Sequence, residues 1–284
     1  MNKRKKRELE VVVISDVHLG TYGCHAEELL RYLKTIRAKK IILNGDIIDM
    51  WQFNKRYWPV SHMQVVKHIT SLLTKNTKIV YLTGNHDEML RKFAGFKLGC
   101  FQIDNKIVLK LNNKKAWIFH GDVFDVTMQH SKWLAKLGAI GYDTLILLNA
   151  FVNWCLTKLG KEKISLSKRV KDGVKSAVKF INNFENTAAD IAIENGFDYV
   201  ICGHIHQPEI RRVSTEKGNV TYLNSGDWVE NLTALEFDGL NWSIYEYKND
   251  KVAQAIKLHH RFNQRLDNNA IFKGLVTEFM QLKK

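Results

Sequence analysis

Short apolar runs alternate with segments of helical periodicity in the first part of the chain. A β-branched run at residues 11–15 precedes a helical segment at 27–38, and a second run at 41–43 precedes a helical segment at 65–74. A third apolar run occupies residues 79–82. Alternating strands and helices predict an α/β layered fold built on a buried, largely parallel sheet.

The pattern changes in the second half of the chain. Apolar runs at residues 116–119 and 199–202 predict two more strands, whereas residues 126–195 carry no strand signal and are expected to form a helical insertion. Further strand-like runs lie at residues 221–224, 233–237 and 242–247. We therefore predict one domain over residues 1–250 with this insertion, followed by a helical tail over 251–284.

Polar side chains stand at the carboxyl ends of five predicted strands. The five clusters are Asp16-Val17-His18, Asn44-Gly45-Asp46, Gly84-Asn85-His86-Asp87, His120-Gly121-Asp122 and Gly203-His204-Ile205-His206. Open α/β sheets place their ligand sites at the carboxyl ends of the strands. Each cluster alone could be an ordinary turn, but the ordered set predicts one site at one edge of the sheet.

The residue types in these clusters indicate a metal site. Its candidate ligands are Asp16, His18, Asp46, Asn85, His120, His204 and His206. Mixed nitrogen and oxygen donors without thiolate suit Mn²⁺, Fe or Zn²⁺ rather than a structural zinc site. Seven ligands exceed what one ion can use while it leaves room for substrate. Two ions about 3.5–4 Å apart, sharing a carboxylate, can clamp a phosphoryl group during in-line displacement.

The spacing within two clusters supports this interpretation. Asp16 and His18 are two residues apart, as are His204 and His206. In an extended segment, side chains two residues apart point the same way, so each pair is expected to reach one ion or two neighbouring ions. Glycines beside the ligands are expected to permit tight turns and close backbone approach.

Charge and cysteine usage narrow the class of protein. The formal net charge of +14 includes a basic cluster at residues 3–7 and another at 158–179, and predicts attraction to anions if it is more than an aid to solubility. The four scattered cysteines form no CxxC pair, and the basic N-terminus continues into Glu8 and Glu10 rather than an apolar signal core. We therefore expect a reducing, cytoplasmic location.

With these motifs identified, the chain resembles the calcineurin-like metallophosphoesterase superfamily over residues 16–206. The resemblance implies a four-layer α-β-β-α sandwich with two divalent metal ions. We expect both ions to be Mn²⁺, with Fe or Zn²⁺ as alternatives. It implies one ion held by Asp16, His18, Asp46 and His206, and another held by Asp46, Asn85, His120 and His204. It also implies that His86 acts at the phosphate as general acid or stabiliser, with Asn85, and is oriented by Asp49 or Asp87.

A narrower resemblance concerns residues 45–51, 120–125, 203–208 and 223–228. These blocks are similar to those of the UDP-2,3-diacylglucosamine hydrolases of lipid A synthesis, whose helical insertion forms a lid over acyl chains. The resemblance implies a nucleotide-lipid substrate, cleaved at its pyrophosphate to UMP and a lipid-1-phosphate. That subgroup usually carries Arg after the Gly-Asn pair, whereas this chain has His86.

The insertion carries the remaining expectations about the substrate. Its apolar stretch at 133–159 is interrupted by Lys136, Asp143 and Asn149, which argues against a membrane-spanning helix. We expect either a lid with peripheral contact to the anionic inner face of the inner membrane, or an ordinary helical hairpin. Candidate substrate contacts are Ser167, Lys171 and Lys175.

Three other functions remain open at this point. A generic phosphodiesterase or nucleotide pyrophosphatase would keep every metal ligand and use the insertion for another substrate. A nuclease would explain the net charge, but the chain has no recognisable groove-reading element or series of stacking aromatics, so nucleic acid is not the expected partner. A non-catalytic interaction module on this fold is expected to have lost ligands, and all seven are present.

Overall fold

A computed structural model describes residues 6–51, 57–124, 181 and 183–258 of the chain. The chain divides into two compact units, one made of Met1–Gly121 and Ile191–Lys284, the other of Asp122–Asp190. In the second unit a short 3-10 helix spans Asp122–Phe124, and the ring of Phe124 packs edge-on against Phe184 at 5.4 Å. Most of the predicted insertion lies outside the described residues, as does the tail beyond residue 258.

Twelve strands and four α-helices lie in the described part of the chain. The strands are β1 (Arg7–Ile14), β2 (Ile36–Asn44), β3 (Lys78–Leu82), β4 (Lys97–Leu98), β5 (Phe101–Asp104), β6 (Lys106–Leu111), β7 (Lys114–Phe119), β8 (Tyr199–Cys202), β9 (Glu209–Thr215), β10 (Gly218–Asn224), β11 (Thr233–Phe237) and β12 (Trp242–Glu246). The helices are α1 (Ala26–Thr35), α2 (Val60–Leu73), α3 (described over 183–194) and α4 (Lys251–Gln254). Two further 3-10 helices span Glu88–Phe93 and Tyr247–Asn249.

The strands form two sheets. The seven-stranded sheet has the order β12-β11-β1-β2-β3-β5-β4, in which β1, β2, β3 and β5 run parallel. The five-stranded sheet has the order β6-β7-β8-β10-β9, with β7, β8 and β10 parallel at its centre. The α/β class is therefore confirmed, but the five polar strand ends belong to two sheets rather than to one. β1, β2 and β3 lie in the first sheet, and β7 and β8 lie in the second.

Side-chain alternation in β1 explains how the layers pack. Val12 and Ile14 point into a core shared with α1 and α2, which includes Leu29 and Val65. The alternate side chains, represented by Val11, belong to a second core. This second core joins the two sheets, and its members are Val11, Val13, Ile42, Val80, Leu82, Ala116, Ile118, Ile201, Leu223, Leu235 and Phe237. A strand buried on both faces reads as a continuous apolar run, as residues 11–14 do.

Three of the four layers of the expected sandwich follow from these cores, namely helices, the seven-stranded sheet and the five-stranded sheet. A helical layer on the outer face of the second sheet stays a prediction. In the first unit, Ile193 near the end of α3 lies beside Gly218, the first residue of β10. No helix among the described residues has the length and apolar character needed to cross a membrane.

The predicted helix at 27–38 was wrong in its last three residues. α1 ends at Thr35, and β2 begins directly at Ile36. Ile36 and Ala38 are buried and pair with Arg7 and Leu9 of β1. Strand pairing therefore decides the conformation of these residues over the helical periodicity that precedes them.

Candidate metal centre

Loops after β1, β2, β3, β7 and β8 bring the candidate ligands together in the first unit. Among the described residues, three groups of donors lie close enough to hold an ion, each with its donor atoms within 4.8 Å of one another. The groups are Asp16 with His18 and His206, His18 with Asp46 and His86, and Asp46 with His120 and His204. Because His18 and Asp46 each belong to two groups, the donors form one continuous cluster rather than separate sites.

The backbone of this cluster is left-handed at five candidate ligands. Positive φ angles occur at Asp16, His18, Asp46, His204 and His206, with values between 53° and 68°. Such angles are uncommon outside glycine and mark functional sites when they cluster. The expected strand alternation within Asp16–His18 was wrong, because β1 already ends at Ile14. Left-handed residues at both positions, rather than an extended backbone, aim these side chains into the cluster.

Hydrogen bonds between neighbouring loops hold these strained residues. The N–H groups of Val17 and His18 both donate to the carbonyl of Asp46 at 2.9 Å, and Asp16 N–H donates to the Gly45 carbonyl at 3.1 Å. Across the two sheets, His204 N–H donates to Asp16 Oδ2 at 3.0 Å. One carboxylate oxygen of Asp16 thus fixes the loop after β8, while its other oxygen faces the candidate ligands.

Two glycines permit the close approach of these loops. A Cβ atom at Gly84 would overlap the Asp46 carboxylate and would lie 2.8 Å from Cδ2 of His120. A Cβ atom at Gly203 would lie 2.6 Å from both Asp16 Oδ2 and Ser15 Oγ. The space that a side chain would need is already occupied by candidate ligands, so the expected role of these glycines holds.

The distances between donor atoms fit ligands of a common ion. Nε2 of His206 lies 3.2 Å from Oδ1 of Asp16, and Nε2 of His120 lies 3.3 Å from Oδ2 of Asp46. Ligands bound at about 2.1 Å in octahedral or tetrahedral geometry lie roughly 3.0–3.4 Å apart. Both pairs therefore have the separation that two neighbouring ligands of one ion require.

His120 has a defined tautomer in this arrangement. Its side chain is fully buried, and Nδ1 lies 2.8 Å from the backbone carbonyl of Asn44. A carbonyl can only accept, so Nδ1 carries the hydrogen and Nε2 keeps its lone pair on the side of Asp46. This is the arrangement in which a histidine binds a metal through one nitrogen and is oriented through the other.

Asp49 serves two imidazoles through one oxygen. Its Oδ2 lies 3.1 Å from Nδ1 of His18 and 2.8 Å from Nδ1 of His86, while Oδ1 accepts a hydrogen bond from Trp51 N–H at 3.1 Å. Burial lowers the pKa of His86, but its close contact with Asp49 and the charges of Asp46 and Asp49 outweigh that effect and raise the pKa above its usual value.

The structure gives Asp87 a different role from the orientation of His86 that was considered for it from the sequence. Its carboxylate accepts hydrogen bonds from Gly84 N–H at 2.6 Å, Ile47 N–H at 2.9 Å and the Tyr81 hydroxyl at 2.6 Å. Between the two acidic residues considered for orienting His86, the structure therefore places Asp49 against the ring. Asp87 instead joins the loop after β2 to the loop after β3.

The buried carboxylates of the cluster stay ionised. Burial raises the pKa of Asp46, but attraction to the adjacent imidazole of His120 in its protonated form outweighs burial and lowers the pKa to about 2. Burial also raises the pKa of Asp16, and the charges of His206 and His120 outweigh it, so the net shift is downward. Both side chains are thus available as anionic ligands at neutral pH.

Asn85 completes the test of whether these residues fit a metal. Its side-chain Oδ1 is buried, and among the described residues no group donates a hydrogen bond to it. A buried amide oxygen without a partner carries a desolvation cost that a metal ion would remove. The donor chemistry, the ligand separations and this oxygen all fit a divalent metal.

The sequence pattern assigns no role to Trp51, the last residue of the 45–51 block, yet this residue lies beside the cluster. The indole of Trp51 lies 4.8 Å from the His86 ring at an angle of 35°, and 52% of the residue is exposed. An exposed aromatic ring at a polar site is an informative feature. The local sequence around residue 51, however, does not indicate that this ring lies beside the metal ligands. The candidate substrate contacts Ser167, Lys171 and Lys175 lie outside the described residues.

The family model described as calcineurin-like phosphoesterase matches residues 9–208, which include every candidate ligand. The chain belongs to the calcineurin-like phosphoesterase family. It is accordingly a phosphoester hydrolase, and the family implies divalent metal ions at a site of this composition. The earlier resemblance to this family is confirmed.

Individual relatives extend the comparison. The chain is 27% identical over 225 residues to a UDP-2,3-diacylglucosamine hydrolase of Blochmanniella pennsylvanica, covering 75% of this chain and 85% of the relative. It is 23% identical over 252 residues to the hydrolase of the same name from Aliivibrio fischeri, covering 84% and 98%. A solved structure of Yfce, a phosphoesterase from E. coli, is similar with a TM-score of 0.41 and 14% identity, over 84% of this chain and 92% of that one.

Proposed function

We propose that this calcineurin-like phosphoesterase binds two metal ions and cleaves the pyrophosphate of UDP-2,3-diacylglucosamine to UMP and a lipid-1-phosphate. The observation that carries the hydrolytic part is the continuous donor cluster, in which Asp46 is common to two groups of ligands. The substrate part is supported by relatives named for this activity, which the chain covers over 85% and 98% of their lengths.

The proposed ligand sets extend two of the donor groups. Asp46 is added to the group of Asp16, His18 and His206, and Asn85 is added to the group of Asp46, His120 and His204. The first ion position uses Asp16, His18, Asp46 and His206, and the second uses Asp46, Asn85, His120 and His204. We propose Mn²⁺ in both, because imidazole nitrogen mixed with carboxylate and amide oxygen suits it. When bound, a pair of such ions supplies a water of lowered pKa and neutralises charge on the phosphoryl oxygens.

The chain's own residues contribute orientation and proton transfer. Nδ1 of His86 faces the Asp49 carboxylate at 2.8 Å, so the other ring nitrogen, Nε2, is the atom that can donate a proton toward a leaving oxygen. The Asn85 amide adds a dipole to the same region. The exposed face of Trp51 beside His86 supplies an apolar wall on which a base or sugar ring can rest.

The remaining parts of the proposal concern the lipid. The net charge of +14 supports peripheral contact with an anionic membrane surface on the cytoplasmic side of the inner membrane. Ser167, Lys171 and Lys175 in the insertion are the proposed contacts for the anionic part of the substrate.

Product analysis with three substrates tests the proposal. The chain is loaded with Mn²⁺ and offered UDP-2,3-diacylglucosamine, bis-p-nitrophenyl phosphate and a dinucleotide, and the released UMP, nitrophenol and mononucleotide are measured. We expect UMP from the lipid substrate, and its loss on Asp46→Asn. Hydrolysis of bis-p-nitrophenyl phosphate without release of UMP would instead identify a generic phosphodiesterase, the alternative that His86 in place of the subgroup's Arg favours.

A further inference from the structure

The connection between β10 and β11 passes from one sheet to the other at the metal centre. β10 lies beside β8 in the five-stranded sheet, and β11 lies beside β1 in the seven-stranded sheet. We call residues 225–232, which join them, the crossover segment. The candidate ligands of the first ion position come from both sheets, since Asp16 follows β1 and His206 follows β8. The crossover segment therefore connects the two sheets through the strands that lie beside β1 and β8, the strands that precede these two ligands.

On the side of β8, polar groups of this segment bind the ligand loop. The N–H of Ser225 donates to the carbonyl of Cys202 at 3.1 Å, and Asn224, just before the segment, donates through Nδ2 to the carbonyl of Gly203 at 2.8 Å. Farther along, Nδ2 of Asn231 donates to the carbonyl of His206 at 2.9 Å. The loop that carries His206 is therefore held at its beginning and at its last ligand.

On the side of β1, the same segment binds the loop that carries Asp16. Trp228 N–H donates to the carbonyl of Asp16 at 3.0 Å, and the hydroxyl of Ser15 donates to the carbonyl of Gly226 at 2.9 Å. The segment consequently contacts the backbone of both ligands whose donor atoms lie 3.2 Å apart, Asp16 and His206.

Asp227 organises the segment itself. Its side chain is fully buried, and Oδ1 accepts hydrogen bonds from the backbone N–H groups of Val229 at 2.8 Å and Asn231 at 3.2 Å. Its Oδ2 accepts from Nδ2 of Asn231, the same amide nitrogen that donates to His206. One hydrogen of this amide is donated to Asp227 and the other to the carbonyl of His206. Asp227 therefore fixes the orientation in which the Asn231 amide donates to His206.

His120, a ligand of the second ion position, is held by other groups. Nδ2 of Asn44 donates to the carbonyl of Phe119 at 3.1 Å, and the carbonyl of Asn44 accepts from His120. The His120 side chain is fully buried, whereas 33% of the His206 side chain is exposed. A ligand whose side chain is one-third exposed has fewer neighbours to fix it, so the alignment of His206 depends more on the hydrogen bond from Asn231.

We propose that Asn231, held by Asp227, is a positioning residue that sets the affinity of the first ion position without affecting the second. The proposal rests on the ligand sets given under the proposed function. The effect of Asn231 on metal affinity is indirect, because its amide binds the backbone of His206 rather than the ion. Groups that orient metal ligands from outside the ligand shell change metal affinity by about 10–100-fold, and a backbone contact belongs at the lower end of this range.

Metal titration of three variants tests this proposal. Metal-free protein is titrated with Mn²⁺, and bound ions are counted from the loss of the free-ion electron paramagnetic resonance signal. Asn231→Ala removes the amide, and Asn231→Leu keeps its size and branching without a donor. Asn195→Ala is the matched control, since the Asn195 amide, just after the end of α3, also donates to a backbone carbonyl, that of Ile191. His206→Ala and His120→Ala identify which binding step belongs to which position.

We expect two binding steps in the natural chain and in Asn195→Ala. In Asn231→Ala and Asn231→Leu, the step that His206→Ala abolishes should weaken about tenfold, and the step that His120→Ala abolishes should be unchanged. Unchanged affinities in both Asn231 variants, or equal weakening of both steps, would overturn the role of Asn231 while leaving the ligand sets intact. A natural chain that binds no Mn²⁺ would instead overturn the metal assignment itself.

Discussion

The carboxylate of Asp49 lies 2.8 Å from Nδ1 of His86, and this contact orients the imidazole at the metal centre. The same oxygen lies 3.1 Å from Nδ1 of His18. A carboxylate attracts an imidazole N–H more strongly than a neutral acceptor does, so Asp49 holds both rings with Nδ1 facing it. One buried side chain thus orients a candidate ligand and the candidate proton donor together.

The first prediction concerns this shared carboxylate. Asp49→Asn keeps the shape but removes the negative charge. Its new NH2 group faces either both imidazoles, in place of Oδ2, or the Trp51 N–H, in place of Oδ1, so the shared acceptor is lost or its own support is lost. We expect kcat for bis-p-nitrophenyl phosphate to fall by about 10–100-fold with little change in secondary structure. Asp238→Asn, which changes an exposed turn carboxylate, should retain the natural rate. A natural rate in Asp49→Asn would show that His18 and His86 do not need this contact.

The second prediction concerns the close approach of loops at Gly84. Gly84→Ala would place a methyl group on the Asp46 carboxylate and 2.7 Å from the Asp46 backbone nitrogen. We expect the free energy of unfolding to fall by about 1–3 kcal/mol and the Mn²⁺ affinity to fall with it. The control is Gly23→Ala, whose methyl group would meet Val229 Cγ1 at 3.2 Å. Equal Mn²⁺ affinity in the two variants would contradict the crowding at Gly84.

The third prediction concerns an ion-pair network that contains none of the candidate ligands. Arg7 contacts Glu236 at 2.9 Å and Asp250 at 3.1 Å, and both carboxylates also accept from tyrosines, Tyr32 and Tyr245. Arg7→Met leaves two largely buried carboxylates without their cation. Because 40% of the Arg7 side chain is exposed, we expect a loss of only about 1–2 kcal/mol in urea unfolding.

A matched pair on the surface provides the control for Arg7. Arg37 contacts Glu8 at 3.2 Å, and both side chains are more than half exposed. Arg37→Met should change the free energy of unfolding by less than about 0.5 kcal/mol. If the two substitutions cost the same, burial of the carboxylates does not contribute to the Arg7 network.

The fourth prediction concerns pH. His62 is 2% exposed, and Gly20 N–H donates to its Nδ1 at 2.9 Å, so this nitrogen must be unprotonated. Burial lowers the pKa of His62 to about 4, below the value of about 6.5 in an unfolded chain. The unfolded chain therefore binds the proton first as the pH falls. The stability contribution is complete above about pH 6.5 and declines until about pH 4.

Urea unfolding at about pH 7 and about pH 5 measures this effect. His62→Gln keeps an acceptor for Gly20 and removes the titration. Over this interval, we expect the natural chain to lose about 2 kcal/mol more than the variant. Other titrating groups, including the partly buried His68, are common to both proteins and cancel in the comparison. Parallel pH dependence in the two proteins would rule out a buried neutral imidazole at position 62.

Local sequence patterns predicted most of the elements that carry the site. The β-branched run before Asp16 and the apolar run before His204 are strands, as expected, because buried parallel strands need apolar side chains on both faces. The same patterns missed β4, β5, β6 and β9. These strands are short or lie at or near sheet edges, where charged residues alternate with apolar ones, as in β6.

The sequence by itself determined the chemistry offered at this site. The donor types, their order and the glycines beside them can be read locally, because each belongs to one short motif. Tertiary structure decided the left-handed angles at Asp16 and His206, the choice of Asp49 over Asp87 beside His86, and the link from Asn231 to His206. The reason is physical. Each of these relationships depends on how separate loops meet across two sheets, and local periodicity carries no information about that meeting.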